Sequence, residues 1–99
     1  MKIYRVDCSK WSPLGTDNET WTVAYVSNKS DAIKYADFNN LPIFNKYGIE
    51  KIVSLINELG AIDTLLELED SSSKIYTVSE ITVVDDVYDY HEEELVYPC

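Results

Sequence analysis

The sequence predicts an α+β fold: a three- or four-stranded, mostly antiparallel sheet with two or three helices packed on one face. Three observations carry that reading. Runs rich in β-branched and aromatic residues stand near both ends of the chain, at 2–8, 20–27 and 74–86. Between them, at 49–59, apolar residues recur at helical spacing. The resulting order, β-β-α-α-β with room for one more strand, segregates strands from helices. Helices on one face leave the other open to water or a partner. With 99 residues, one domain over 1–99 is the default.

Lys2 to Cys8 alternates along its length and forms the first strand. Ser9 to Asn18 gathers Ser, Pro, Gly, Asp and Asn and reads as a loop. Thr20 to Ser27 (TWTVAYVS) is the second strand. Asn28 or Ser30 starts a helix, with Asp31 in its first turn, where a carboxylate meets the positive helix end. Ala32, Ile33 and Ala36 give this short helix a buried face. Asn39 and Asn40 stop it, and Pro42 enforces the break. Asn39 to Gly48 is then a connector anchored by Leu41, Ile43 and Phe44.

Ile49 to Leu59 is the clearest helix, with a stripe of Ile49, Ile52, Val53, Ile56 and Leu59, and Gly60 closes it. Ala61 to Glu69 fits a further helix, favoured by its Ala, Leu and Glu content. Leu66 to Glu69 also alternates like a strand. Lys74 to Asp86 is a long strand in which Ser79-Glu80 marks a bulge or register change. Three readings fit the acidic end of the chain: an edge strand through Val87 to Tyr90, a helix from Asp89, or a tail over 85–99.

The charge is more informative by position than in sum. The chain has 18 Asp and Glu against 8 Lys and Arg, for a net −10. Residues 1–60 are neutral, with seven bases and seven acids. Residues 61–99 hold eleven acids and one base, Lys74. Asp85 to Glu94 reads DDVYDYHEEE and contains six of those acids. Such asymmetry points to an acidic interaction surface or a solubilising tail. It excludes phosphate neutralisation of the usual kind, so direct nucleic-acid binding is not expected. Docking on an anionic membrane is disfavoured too.

The two cysteines, Cys8 and Cys99, make no disulfide framework. The start, MKIYRVDCSK, lacks the apolar core of a signal peptide, and no apolar stretch approaches the ~20 residues needed to span a bilayer. A cytoplasmic compartment with free thiols is the expectation.

Catalytic motifs are not found. The three glycines, Gly15, Gly48 and Gly60, are isolated, so no phosphate loop is present. There is no nucleophile elbow. The one histidine, His91, lies inside the acid run with no cysteine at a supporting spacing. Read as a calcium loop from Asp85, the run has Val87 and Val96 where ligands belong, and no glycine. No enzyme activity, cofactor or metal site is expected.

The acid run interleaves with tyrosine, an amphipathic contact residue. The expected contact surface is Asp85, Asp86, Tyr88, Asp89, Tyr90, Glu92, Glu93 and Glu94. A duplex carries a charge per ~1.7 Å of axis, so ten net charges match roughly 17 Å, or about five base pairs. Acids at that density suit a basic groove built for nucleic acid, with fast, salt-sensitive association.

Three segments carry a resemblance: Lys2-Ile3-Tyr4-Arg5-Val6, the strand-to-helix run from Trp21-Thr22-Val23-Ala24 to Ser30-Asp31-Ala32-Ile33-Lys34-Tyr35-Ala36, and Tyr76-Thr77-Val78-Ser79-Glu80-Ile81. With its acidity and small size, the chain resembles phage and mobile-element proteins of the anti-CRISPR or DNA-mimicking inhibitor kind. The resemblance implies a non-enzymatic inhibitor in the host cytoplasm. Its partner would be the basic surface of a host nucleic-acid-binding or defence protein. The alternatives are an assembly module that forms a homodimer through an exposed strand edge or sheet face, and a domain binding a small ligand or divalent metal.

Overall fold

The structure, a computed structural model, describes residues 1–14, 18–83 and 90–97. The elements run β1 (Lys2–Lys10), β2 (Glu19–Val26), α1 (Lys29–Tyr47), α2 (Ile49–Leu59), α3 (Ala61–Glu67), β3 (Lys74–Val83) and β4 (Tyr90–Tyr97). The expected α+β architecture is present, with three helices and a four-stranded antiparallel sheet in the order β2-β1-β3-β4. At the chain's end the structure has a strand over Tyr90–Tyr97; the edge strand expected through Val87 to Tyr90 overlaps it at Tyr90 alone, and 87–89 lie outside the described residues. Residues 84–89, 98 and 99 lie outside the described residues.

The two central strands, β1 and β3, pair without interruption from Lys2↔Thr82 to Lys10↔Lys74. Val6 and Val78 are partners at the middle of this pairing, and both are fully buried. Each edge strand gains one residue beside that pair. On β2 the extra residue is Val23, because Val6 faces Ala24 and Asp7 faces Thr22. On β4 it is Val96, because Val78 faces Tyr97 and Ser79 faces Leu95. The register change expected at Ser79-Glu80 thus falls one residue earlier. A bulge bends its strand and increases the local twist. Two bulges on one line across the sheet let Val23 and Ala24 at one edge, and Val96 and Tyr97 at the other, pack against the same core.

Helix α1 covers that core, and it corrects the sequence reading. It does not stop at Asn39-Asn40 and does not break at Pro42; it runs 19 residues to Tyr47, and no connector exists. The reason is tertiary. Ala32, Ala36, Asn40, Ile43 and Phe44 form one continuous buried stripe. Asn40 is no helix stop, because its side chain is engaged by the sheet: Nδ2 donates to Tyr76 O at 2.8 Å and Oδ1 accepts from Tyr76 N at 2.7 Å. Burial and these two bonds outweigh the missing N–H of Pro42. Asn28 is the N-cap, accepting from the Asp31 backbone at 3.2 Å.

The α1–α2 and α2–α3 junctions are single glycines. Gly48 (φ 96°) and Gly60 (φ 86°) each end one helix and start the next. Each donates to a carbonyl four residues back and accepts from an amide four residues ahead. Within α2, Ile52 and Ile56 are fully buried, whereas Ile49 and Leu59 at its ends are exposed. Helix α3 closes with a left-handed residue that is not glycine: Glu69 has φ 51°. Glu69 N bonds to Leu66 O and Asp70 N to Leu65 O, both at 3.0 Å, which is the Schellman pattern.

The sheet face turned away from Val6 and Val78 mixes polar residues with Ile3, Ile75 and Ile81. Asp7 accepts from Arg5 Nε at 3.0 Å and from Thr22 Oγ1 at 2.8 Å. Ser9 and Thr20 share a hydroxyl contact at 3.0 Å.

Candidate partner-binding surface

Strand β4 is an outer edge of the sheet, and it carries the described part of the acid run. Register places Tyr90 opposite Val83, Glu92 opposite Thr82, Glu93 opposite Ile81 and Glu94 opposite Glu80. Glu94 is exposed. Asp85, Asp86, Tyr88 and Asp89 lie outside the described residues. Three consecutive glutamates therefore stand on the strand that is outermost among the described residues. Glu80 on β3 and Glu94 on β4 face each other across the ladder, a like-charge arrangement that costs stability. Glu80 is partly compensated: it accepts from Tyr4 Oη at 3.1 Å and lies 3.5 Å from Lys2 Nζ. Burial and this carboxylate raise the Tyr4 pKa.

The other end of β4 is an anchor. Tyr97 is buried, and its hydroxyl donates to Asp37 on α1. Burial and that carboxylate push the Tyr97 phenol up. Tyr97 is thus a core residue and not part of a tyrosine-rich contact surface. Trp11 likewise packs against the core.

The acids that precede β3 do not join this edge. Asp63, Glu67 and Glu69 sit on α3 and its closing turn, near the start of β3. Glu80 lies six residues beyond Lys74, about 20 Å further along the strand at ~3.4 Å per residue.

Asp70 is consumed internally. It is 5% exposed and accepts from Lys46 Nζ (2.9 Å), Tyr47 Oη (2.6 Å), and both the amides and hydroxyls of Ser72 and Ser73 (2.8–3.0 Å). Burial alone would raise its pKa. The hydrogen bonds from Tyr47, Lys46, Ser73 and Ser72 outweigh burial and hold the carboxyl far below the usual carboxylate range. A carboxylate held so firmly ionised is a weak proton acceptor, so the cluster ties α1 to the turn before β3 and is poorly suited to acid–base chemistry. From the sequence, Asn40 reads only as a helix stop and Asp70 is given no role. A buried Asn inside a helix has no local signature, and the Asp70-Ser-Ser-Ser run carried only a turn signal.

Two surface hollows stand elsewhere. One of about 360 Å³ is lined by Lys10, Trp11, Ser12, Pro13, Glu19 and Ser71. The other, about 250 Å³, lies between α1 and β3 beside Pro42, Ser73 and Tyr76. Cys8 is free and buried, and burial pushes its thiol up, which makes it a poor nucleophile. Among the described residues, no three His, Cys, Asp or Glu side chains gather as metal ligands. No described helix is long and apolar enough to cross a membrane. Compared with known proteins, the chain matches no family model, no curated sequence and no solved structure.

Proposed function

We propose that the chain is a non-enzymatic, protein-binding inhibitor that presents an acidic edge to the basic groove of a nucleic-acid-handling or defence protein. The observation that carries this reading is the succession Glu92-Glu93-Glu94 on the outer edge strand β4. An antiparallel strand advances about 3.4 Å per residue, and a duplex presents a phosphate about every 3.4 Å along each strand. Side chains alternate between the two faces, so positions on one face recur about every 6.8 Å, the spacing of every second phosphate on one strand, which suits a groove that holds a nucleic-acid backbone. Asp85, Asp86 and Asp89 precede the strand in sequence and extend the same run. The resemblance to mobile-element inhibitors agrees with this chemistry.

The test uses the immobilised protein, a bacterial lysate, and a variant with six amides (Asp85→Asn, Asp86→Asn, Asp89→Asn, Glu92→Gln, Glu93→Gln, Glu94→Gln). A nucleic-acid-binding protein should be captured, and the chain should displace its nucleic acid in a mobility-shift assay. Capture should drop at least tenfold with the variant and fall steeply as salt rises, since screening shortens the reach of exposed charges. The variant's circular dichroism should match the parent's. Equal capture by parent and variant overturns the reading.

A further inference from the structure

The two edges of the sheet are unlike. Edge strand β4 carries three consecutive glutamates, a common guard against edge-to-edge pairing. Edge strand β2 carries no charge from Thr20 to Ser27. Its one charged residue, Glu19, faces Lys10 in register.

The hydrogen-bond parity of the sheet shows which β2 groups point outward. Val83 N bonds back to Met1 O, so odd-numbered β3 residues address β1. Tyr76 bonds away from β1, to Asn40. Its β1 partner Cys8 therefore directs its own N–H and C=O toward Trp21 on β2. Trp21 is consumed by that pairing, and Thr20 and Thr22 on either side turn their backbone groups to the open edge. The Val23 bulge ends the regular stretch just beyond them.

We infer that two copies of the chain pair antiparallel through Glu19–Thr22, with the two-fold axis at Trp21. Thr20 of each copy then exchanges backbone hydrogen bonds with Thr22 of the other. The two Trp21 residues meet at a non-hydrogen-bonded position, where cross-strand side chains come closest and aromatic pairs stabilise most. Trp21 is 37% exposed, so ring surface is available. On its other side the ring carries Lys74 Nζ, 5.8 Å from the centroid. Charge supports this register. Glu19 falls opposite Val23 of the second copy, not opposite the second Glu19. The glutamate-lined β4 edges end up outermost, three strands from the axis on each side, so the assembly closes at two copies.

This pairing is independent of the partner binding proposed above, and its salt dependence has the opposite sign. Two bodies of net charge −10 repel, so added salt should tighten the dimer while it weakens an acid-driven complex. Sedimentation velocity over a concentration series should show monomer passing to dimer, with several-fold tighter association between about 0.05 and 0.5 M NaCl. A far-ultraviolet exciton couplet from the stacked tryptophans should grow with the dimer fraction. Trp21→Thr should abolish the couplet and weaken association at least tenfold. Thr20→Pro removes the outward amide together with the hydroxyl that meets Ser9, whereas Thr20→Val removes the hydroxyl alone, so Thr20→Pro should weaken association at least tenfold relative to Thr20→Val. A chain that stays monomeric at every concentration and salt overturns the inference. So does a dimer indifferent to both substitutions, or an open-ended series of larger species, which would signify β2 pairing on β4.

Discussion

The amide of Asn40 binds the backbone of Tyr76 as a neighbouring strand would, donating to its carbonyl at 2.8 Å and accepting from its N–H at 2.7 Å. Among the described residues β4 pairs with β3 only from Val78 onward, so Tyr76 stands beyond that ladder. A side chain from α1 completes the edge and fixes the height of the helix over the sheet. Asn40 is fully buried. Replacing it with Leu keeps the approximate volume and leaves two backbone groups unpaired, at about 1–3 kcal/mol each. Urea denaturation of Asn40→Leu should show a loss of about 3 kcal/mol. A loss below about 1 kcal/mol would mean the pair contributes little beyond packing.

Asp70 predicts an acid-sensitive fold. Its carboxyl titrates far lower in the native chain than in the unfolded chain, where about 3.9 is normal. The native state therefore binds fewer protons, and the stability it supplies is complete above the unfolded value and lost as pH falls toward the native one. Melting temperature should be insensitive to this group above about pH 5 and should fall steadily below about pH 4. Asp70→Asn should lower stability at pH 7 by about 3 kcal/mol, as expected for breaking a buried charged network. It should also flatten the acid limb of the stability curve. An acid limb of the same slope in parent and variant would assign the effect to other carboxylates.

The helix junctions make opposite predictions for two backbone substitutions. A methyl group at Gly60 would meet nothing within 4 Å, so Gly60→Ala isolates the cost of φ 86°. It should destabilise by about 1–3 kcal/mol, the range for a side chain held in a sparsely populated region. Glu69 sits at φ 51° in a position that suits glycine. Glu69→Gly should stabilise by about 0.5–1 kcal/mol, as left-handed strain is relieved. Chemical denaturation of both variants checks the pair of signs together.

Pro42 lies inside α1 and cannot donate to Phe38 O. It is exposed, so substitution should not disturb the core. Pro42→Ala restores the helical donor and should stabilise by about 1–2 kcal/mol, less than the ~3 kcal/mol difference in helix propensity because the unfolded chain gains freedom. A destabilised variant would show that the ring holds a bend that α1 needs.

Strands β1 to β3 and the α2 and α3 helices were legible because each carries its own local signal. Ile49 to Leu59 has the apolar spacing, and Gly60 has the stop. The second half of α1 was not legible, because its local signals oppose the outcome. Asn39, Asn40 and Pro42 all argue for a break, and only the sheet edge at Tyr76, 36 residues away, reverses them. The charge asymmetry was legible as a run of letters, and its placement on an outer strand was one of three open readings. That Asp70 and Glu80 hold internal partners could not be read from composition. Nor could the burial of Tyr97, whose sequence neighbours are those of the exposed acid run.

The central pairing of β1 with β3 has a consequence for how the chain is made. Lys10 and Lys74 are register partners separated by 64 residues. At a synthesis rate of roughly 5–20 residues per second, β1 waits about 3–13 seconds for its main partner to emerge. During that interval β2 is its only strand partner, and two strands alone are marginal in water. The first strand is therefore the segment of the nascent protein most open to mispairing or to a chaperone. Refolding should be limited by closure of this long loop and not by helix formation, whose backbone hydrogen bonds are local.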